Sequence, residues 1–393
     1  MKRICFLVDS IFSIGGVQRV TAVIAKELAR DYIVTIVTRD DPQQKDTTLY
    51  GLQEADIHFR FFTYPAIGKL KNVACKLISG IYQKLRIQSK WFSDLYAHSS
   101  FPSEQRHALA LELQQGHYDI IIGVHAPLAA RLATIKNDLP HSVLIGWIHN
   151  SFEALFDKSS LYIGEARKRH YVYQFRKLHE TIVLCQHDVQ SYNHYDEAFT
   201  PKYIYNPLTI QPGIASNGQS KRFLAIGRFS HLHKGFDILI EAFHLFAKKD
   251  KEWILDIVGE GEEKKLYQTL IDKYDLGDRV LLHPFTNHVQ TYYSQAQVYV
   301  LSSRWEGFGL VLVEAMSHGL PVISSNIPTS HELLGDFGIF FKNGDIIDLS
   351  SKLEEATHLN WQEKSRQAIE IAHRFDLNNI ITQWKQLLNQ LSA

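Results

Sequence analysis

The chain has 393 residues, 45% apolar and 21% charged, and its 42 basic side chains balance its 42 acidic ones. This length predicts two domains, and the balanced charge excludes a chain-wide positive field of the kind that attracts nucleic acid. Cys5, Cys75 and Cys185 are too scattered for a disulfide framework or a CxxC site.

The first apolar run closes at Asp9, too early for a signal peptide, and no run approaches the ~18 apolar residues of a membrane span. We therefore expect a soluble, cytoplasmic protein.

Apolar runs alternate with helical patterns through the first half of the chain. Strands are predicted at residues 3–8, 32–38, 118–124, 142–148 and 181–185. Helices are predicted at residues 17–30 and 126–136. A strand, a glycine loop, a helix and a second strand form a βαβ unit, which implies a parallel sheet covered by helices.

A second series begins after residues 203–220, whose prolines, glycines and polar residues are typical of a linker. Strands are predicted at residues 222–228, 253–259, 279–285, 298–303 and 321–325. Helices are predicted at 236–249, 262–274 and 287–296, and in the apolar segment after Glu306.

These patterns predict an α/β protein with two doubly wound, Rossmann-like domains. Residues 1–205 form the first domain, 206–375 the second, and 376–393 an amphipathic helix that packs across both. Ligands of open α/β sheets bind outside the carboxyl ends of the strands, so we expect the two sheets to face an interdomain cleft.

Cations follow the predicted strand at residues 222–226. Arg228 comes just after the strand, and Lys234 with Gly235 stands just before a helix. Two cations at a helix N-terminus suit a diphosphate, whereas the alternative is a pair of solvated surface charges.

Glycine loops follow two other strands. Gly15 and Gly16 lie in SIGGV, and Gly259 and Gly261 in VGEGEE. Neither sequence is a GxGxxG or P-loop motif, so a phosphate contact and an ordinary tight turn both stay open.

Two glutamates, Glu306 and Glu314, accompany the apolar segment that follows strand 298–303. The backbone N–H groups from Phe308 to Val311 lie at the expected helix start and suit an anion, and Glu314 suits ribose hydroxyls. Alternatively, Glu306 caps the helix and Glu314 forms an interhelical ion pair.

Taken together, these segments resemble the retaining GT-B glycosyltransferases of glycosyltransferase family 4. The matching pieces are GGVQRV, the histidine of GWIHNSF, GRFSHLHKGFDILIEAF, IVGEGEE and SSRWEGFGLVLVEAMSHGLPVISS. The last piece matches the EX7E motif of that family over its whole length. The resemblance spans essentially the whole chain, is strongest over residues 223–325 and is weakest over 40–115, which corresponds to the acceptor-facing region.

The resemblance implies a role for each matching residue. Arg228 and Lys234 would hold the donor diphosphate, Gly16 would approach it from the first domain, Glu314 would bind the ribose and Glu306 the donor sugar. The implied catalytic residues are His149, Glu306, Arg228 and Lys234. The implied nucleotide-sugar-binding residues are Gly15, Gly16, Arg228, Lys234, Gly259, Pro284, Phe285, Glu306, Phe308, Gly309, Leu310, Val311 and Glu314.

His149 follows strand 142–148 and matches the active-site histidine of the family, although a histidine at such a position is often structural. No metal is expected. The chain has no DxD pair, and His231 and His233 have no third ligand at a suitable spacing.

The segment between Asp56 and Asp94 contains no acidic residue. Its basic residues are Arg60, Lys69, Lys71, Lys76, Lys84, Arg86 and Lys90. Apolar residues recur in it at helical spacing, at Ile67, Leu70, Val73, Leu77, Ile81 and Leu85. Residues 67–92 therefore form either an interfacial membrane segment or a helix packed on the first domain with a solvated basic face.

The sequence predicts a hexosyltransferase-type enzyme that moves a sugar, with retention of configuration, from a UDP- or GDP-linked donor to a glycan or lipid-linked glycan. The expected setting is capsular or cell-surface polysaccharide assembly at the inner face of the plasma membrane, without cofactor or nucleic acid. A nucleotide-sugar epimerase and a non-catalytic, transferase-like partner subunit are the alternatives.

Overall fold

The computed structural model describes residues 1–85, 89–157, 160, 162–211, 213–229 and 231–392. It divides into two compact units. The first comprises Met1–Asn206 and Asn378–Ala393, and the second Pro207–Leu377. The predicted boundaries, after residues 205 and 375, lie within two residues of these limits.

Apolar runs form the first sheet, as the sequence predicts. Its strands are β1 (Arg3–Val8), β2 (Ile33–Thr38), β3 (Ile57–Phe61), β4 (Ile120–Val124), β5 (Val143–Trp147), β6 (Glu180–Val183) and β7 (Lys202–Tyr203). They pair in parallel in the order β3-β2-β1-β4-β5-β6-β7. The central strands are almost fully buried because helices cover both faces of a parallel sheet.

Helices connect and flank these strands. They are α1 (Gly16–Leu28), α2 (Lys69–Leu85), α3 (Lys90–Ser100), α4 (Ser103–Gln115), α5 (Ala126–Thr134), α6 (Phe152–Phe156), α7 (Lys168–Phe175) and α8 (Gln186–Tyr195). The core of this unit joins side chains of the sheet to those of α4, α5, α7 and α8.

The second unit repeats the same topology. Its strands are β8 (Arg222–Ile226), β9 (Ile254–Val258), β10 (Val280–His283), β11 (Val298–Leu301), β12 (Val322–Ser325) and β13 (Ile339–Phe341). Their order is β10-β9-β8-β11-β12-β13, again with parallel pairing. The helices are α9 (His231–Lys234), α10 (Phe236–Ala247), α11 (Lys264–Lys273), α12 (Gln290–Gln295), α13 (Leu310–Ser317), α14 (Pro328–Leu334), α15 (Ile346–Thr357) and α16 (Trp361–Ala372).

Both sheets have the strand order of a doubly wound, Rossmann-like domain, so the predicted fold class is confirmed. The sequence analysis did not identify β3, β7 or β13 as strands, and β7 has only two residues, both exposed. Residues 57–61, IHFRF, are only partly buried at a sheet edge, and residues 339–341 are too few to show a period.

The last helix, α17 (Leu377–Leu391), contacts the first unit. The buried ring of Trp384 meets that of Trp147 edge-on, with centroids 4.8 Å apart. The Lys2 ammonium donates to the Ser392 carbonyl at 2.9 Å, and Lys385 pairs with Asp31 at 2.5 Å. That this helix packs across both domains stays a prediction.

Candidate active site

The loops after β8 and β11 form the candidate site of the second unit. These strands are neighbours at the centre of the sheet, and the strand order reverses between them. In doubly wound sheets, ligands bind at this switch point, outside the carboxyl ends of the strands. The chain supplies residues 227–235 after β8 and residues 302–309 after β11.

Lys234 and Glu306, one from each loop, form a buried ion pair. The Lys234 Nζ lies 2.7 Å from the Glu306 Oε1, and the two side chains are 13% and 7% exposed. The hydroxyl of Ser303 donates to the same carboxylate oxygen at 2.6 Å. The structure therefore brings two predicted site residues together, and Lys234 is not a solvated surface charge.

Hydrogen bonds to backbone carbonyl groups hold the two loops together. The Ser302 hydroxyl donates to the Lys234 carbonyl at 2.8 Å, and the Arg304 N–H to the His233 carbonyl at 2.8 Å. Gly235 has φ of 63°, and a Cβ there would come within 2.2 Å of the Ser302 carbonyl oxygen. The glycine after Lys234 is required because no side chain fits between the loops.

The surroundings of Glu306 keep it ionised. Burial favours the neutral acid, but the Lys234 ammonium and the nearby His233 outweigh burial and hold the pKa of Glu306 far below its usual range. The His233 Nε2 lies 3.7 Å from the Glu306 Oε2, too far for a hydrogen bond. An ammonium has three donors, so Lys234 retains capacity for a further anion.

Arg228 lies at the end of β8, as predicted, with its side chain exposed. Among the described residues no carboxylate forms an ion pair with it, so its guanidinium is available to a ligand. Arg304, which the sequence analysis did not single out, instead holds Asp237 in a bidentate pair, with distances of 3.1 and 2.9 Å.

Helix α13 begins at Leu310 rather than at Phe308, where the sequence analysis placed its first donors. Gly309 precedes it in the left-handed region, with φ of 82°, and Phe308 lies buried against Phe375. Leu310 and Val311 therefore carry the first helical N–H groups. Within the described part of the chain no side chain makes a capping hydrogen bond to this helix, so the interpretation of Glu306 as its cap is wrong.

Glu314 lies inside the unit, 2% exposed, five residues after Gly309. The hydroxyl of Tyr293 donates to its Oε2 at 2.9 Å, and the Tyr293 ring stacks on His318. Nothing in the sequence near Glu314 indicated Tyr293, because the two residues are 21 positions apart.

Close packing explains the glycines after β9. A Cβ on Gly259 would lie 1.9 Å from the Gly227 carbonyl oxygen, and one on Gly261 would lie 2.6 Å from that of Phe229. These glycines let the β8 and β9 loops touch, whether or not a ligand is bound. Pro284 and Phe285, after β10, are exposed.

The histidine that ends β10 is engaged within the unit. The His283 Nε2 lies 2.7 Å from the Asp256 Oδ1, and Arg222 binds both oxygens of that carboxylate at 3.0 and 2.8 Å. Asp256 was not predicted, although an acidic residue inside the apolar run WILDIVG could have drawn attention.

In the first unit, the loop between β1 and α1 is held by hydrogen bonds to residues that are distant in sequence. The Gly15 N–H donates to the Tyr50 hydroxyl at 2.8 Å. The Asp40 carboxylate accepts from the N–H groups of Ile11 and Phe12 at 2.7 and 3.2 Å. Gly16, the first residue of α1, is exposed and open to a ligand.

His149 lies two residues beyond β5 and is 6% exposed. Its ring packs on Trp147, with centroids 4.2 Å apart, and lies 5.5 Å from that of His125. Burial, together with the neighbouring His125, holds the pKa of His149 well below its usual value, so the ring is neutral at pH 7. Its Nε2 has no hydrogen-bond partner among the described residues.

No group of three or more His, Cys, Asp or Glu side chains in the described ranges is placed to hold a metal ion. The side chain of His231 lies outside the described residues, as do Arg86 and the two residues after it. Within the described residues no helix is long and apolar enough to cross a membrane.

Residues 209–375 match the family Glycosyl transferases group 1. This match covers most of the second unit, in which the Lys234–Glu306 pair lies.

Relatives that match the whole chain are also described as glycosyltransferases. The chain is 26% identical to an uncharacterised glycosyltransferase of Haemophilus influenzae and 25% identical to the amylovoran biosynthesis glycosyltransferase AmsD of Erwinia amylovora. Each comparison covers 99% of this chain and 100% of the relative.

Solved structures with the same fold also span the chain. Anabaena HepE, in complex with UDP and glucose, is 20% identical with a TM-score of 0.72, covering 99% of this chain and 100% of that one. TarM is 16% identical with a TM-score of 0.74, covering 99% of each chain. The fold is that of the GT-B glycosyltransferases, and the sequence matches support a glycosyltransferase of polysaccharide biosynthesis.

Proposed function

We propose that this protein is a retaining hexosyltransferase of glycosyltransferase family 4. It would move a sugar from a nucleotide diphosphate donor to a hydroxyl of a growing glycan. We assign UDP as the first choice of nucleotide, because HepE and the pneumococcal O-GlcNAc transferase GtfA bind UDP in their solved structures. GDP is the second choice.

The buried Lys234–Glu306 pair at the switch point is the observation that carries this proposal. Burying two opposite charges costs desolvation free energy, and here the charges are 2.7 Å apart on side chains only 13% and 7% exposed. This cost is offset only if the charges bind a ligand or stabilise the fold. Arg228 adds an exposed cation at the same strand ends, and the first N–H groups of α13 add donors. Cations and helix donors together suit a diphosphate.

The chemistry follows from the charges. The acceptor oxygen forms a bond to the anomeric carbon, the bond from that carbon to the diphosphate oxygen breaks, and the acceptor proton passes to the departing phosphate. Lys234, Arg228 and the start of α13 stabilise the charge that develops on the diphosphate. No carboxylate is assigned as a covalent nucleophile, so attack on the face that the leaving group vacates is the proposed route to retention.

Glu306 and Glu314 would bind hydroxyls. Glu306 is ionised and accepts hydrogen bonds only, which suits the donor sugar beside the diphosphate. Glu314, fixed by Tyr293, suits the ribose. Gly16, with Gly15, would approach the diphosphate, and Pro284 and Phe285 would frame the base.

The proposed acceptor is a glycan, or a glycan carried on a lipid, in capsular or cell-surface polysaccharide assembly at the inner face of the plasma membrane. The whole-chain similarity to the amylovoran enzyme AmsD supports a polysaccharide product.

Two rival functions are less well supported. An epimerase would convert the donor without an acceptor, and a partner subunit would not need the buried charges. The relatives with whole-chain similarity are described as glycosyltransferases, which favours transfer.

The test is a calorimetric panel of UDP-, GDP-, ADP- and TDP-sugars, with and without EDTA. We expect one nucleotide class to bind and EDTA to leave binding unchanged, because cations of the chain would neutralise the diphosphate. Failure of every nucleotide to bind would refute the proposal, and abolition of binding by EDTA would refute the metal-free site. Product analysis without acceptor separates an epimerase from a transferase.

Glu314→Gln should mainly raise the donor KM, by about tenfold, corresponding to one charge-assisted hydrogen bond of ~1.5 kcal/mol. The Gln Oε1 can still accept from the Tyr293 hydroxyl, so stability should change little. Steady-state kinetics with thermal unfolding checks this. Tyr293→Phe is the control, since it removes the hydroxyl and leaves the carboxylate. Loss of stability in Glu314→Gln with an unchanged KM would make Glu314 purely structural.

A further inference from the structure

Helix α2 has one face fixed to the first unit. Tyr82, 4% exposed, stacks on Tyr96 with centroids 4.5 Å apart. The Ser79 and Ser99 hydroxyls lie 2.9 Å apart. The Lys71 ammonium donates to both oxygens of Glu104, at 2.7 and 2.6 Å. These contacts fix which side of the helix points outward.

The outward side is apolar. Leu70 is 90% exposed, Val73 57%, Leu77 63% and Ile81 54%. Their spacing of three and four residues makes one continuous stripe along the helix. The prediction of a helix here is confirmed, and the helix packs on the first unit, but through Tyr82 and its neighbours rather than through the predicted apolar stripe.

Lysines border this apolar stripe. Lys69, Lys76 and Lys84 are exposed, and among the described residues none of them has an ion-pair partner. Lys76 and Lys84 flank a shallow groove that Val73, Leu77 and Ile81 also line. No acidic residue occurs between Asp56 and Asp94 to offset these charges.

We infer that α2 docks on an anionic lipid bilayer, inserting Leu70, Val73, Leu77 and Ile81 while Lys69, Lys76 and Lys84 meet the headgroups. An apolar stripe flanked by lysines is the pattern of helices that lie in the bilayer interface. A 17-residue helix is about 25 Å long, which gives the stripe several turns of contact. This inference deepens the proposed function, on which it rests, by naming how the enzyme reaches a lipid-linked acceptor.

Charge argues against a second copy as the occupant. A symmetric pair would place the same lysines on both sides of one interface, and like charges there oppose association. A bilayer with anionic headgroups offers both an apolar phase and opposite charge.

The experiment is sedimentation of the full chain with vesicles of phosphatidylcholine alone or with phosphatidylglycerol added. We expect much stronger binding to the anionic vesicles, weakened by salt. Leu77→Glu should abolish binding because it places a charge in the stripe. Lys76→Gln with Lys84→Gln should lower the partition coefficient about 30-fold, at about fivefold for each lysine.

Lys71→Gln is the matched control. It removes a lysine from the same helix, but one that faces Glu104, so vesicle binding should change little. Equal losses for Lys71→Gln and the Lys76/Lys84 variant would refute the assigned orientation. The melting temperature of Leu77→Glu should stay unchanged, because Leu77 is exposed.

Equal binding to vesicles with and without phosphatidylglycerol, or no vesicle binding at all, would overturn the inference. A concentration-dependent dimer that Leu77→Glu dissociates, without vesicle binding, would assign the stripe to a second copy. Binding of the UDP-, GDP-, ADP- and TDP-sugars is measured on the same samples. Vesicle binding without binding of any nucleotide would refute the proposed function alone, whereas nucleotide binding without vesicle binding would refute this inference alone.

Discussion

Lys234→Met should destabilise the protein by about 3–5 kcal/mol, because it leaves the Glu306 carboxylate buried without its ammonium. Methionine keeps the length of the stem, so the loss reports charge rather than packing. The same variant should weaken UDP binding by at least tenfold, since a charge-assisted hydrogen bond contributes about 1.5–3 kcal/mol. Denaturant unfolding and calorimetry measure the two effects.

The double variant Lys234→Met with Glu306→Gln separates stability from binding. It removes both charges, so we expect most of the lost stability to return while UDP binding stays weak. If UDP affinity recovered together with stability, Lys234 would be a structural partner of Glu306 and not a diphosphate ligand.

The pH dependence of stability offers a second check on the same pair. The pKa of Glu306 in the folded state lies far below the ordinary value of 4.5. Between these two pKa values the unfolded state binds more protons, so stability falls as pH drops below about 4.5. The stabilisation is fully present at neutral pH. In the Glu306→Gln variant this part of the acid sensitivity should disappear.

His149→Ala should lower turnover by about 10²-fold or more while leaving UDP affinity nearly unchanged. The ring is neutral, with a buried Nε2 that lacks a partner in the described part of the chain. The resemblance to glycosyltransferase family 4 implies an active-site role for this histidine. A neutral imidazole can hydrogen-bond the transferred sugar and order it at the transition state.

His170→Ala is the matched control for His149. Both histidines are buried in the first unit, at 4% and 6% exposed, but His170 bonds to Ser93 and has no predicted catalytic role. Each alanine should cost stability, yet only His149→Ala should lose turnover in the folded protein. Parallel loss of UDP binding and activity in His149→Ala would assign it a structural role.

A low pKa at His149 also affects pH behaviour. Burial keeps the folded ring neutral, whereas the unfolded histidine takes up a proton near pH 6.5. Below that pH the unfolded state binds more protons, so His149 makes the protein less stable as pH falls. Turnover between pH 6 and 8 should show no step from titration of His149.

Much of the architecture could be read from the sequence. Continuous apolar runs such as RICFLV and VYVL predict buried parallel strands, and the alternating helical periods predict the doubly wound order. The sequence likewise placed Lys234 and Glu306 after two predicted strands, which the structure shows to be neighbours. Residues in the loop directly after a strand are located by the topology, because ligands of these sheets bind outside the carboxyl ends of the strands.

Only the tertiary structure showed which residues that are distant in sequence form hydrogen bonds and ion pairs at the candidate site. Tyr50 forms a hydrogen bond with Gly15, 35 residues away, and Tyr293 forms one with Glu314, 21 residues away. No local sequence pattern predicts either bond. The ion pair between Lys234 and Glu306 likewise forms only because the loops after β8 and β11 meet at the carboxyl ends of these two neighbouring strands. Periodicity shows which residues share a face, but not which face the rest of the chain covers.

Helix α2 illustrates that difference most clearly. The sequence by itself determined a basic amphipathic helix, because the spacing of its apolar residues is local. Whether Leu77 lies in the core or in solvent depends on where Tyr82 and Lys71 find partners. Only packing against the first unit could settle that, since burial is a property of the whole fold and not of a segment.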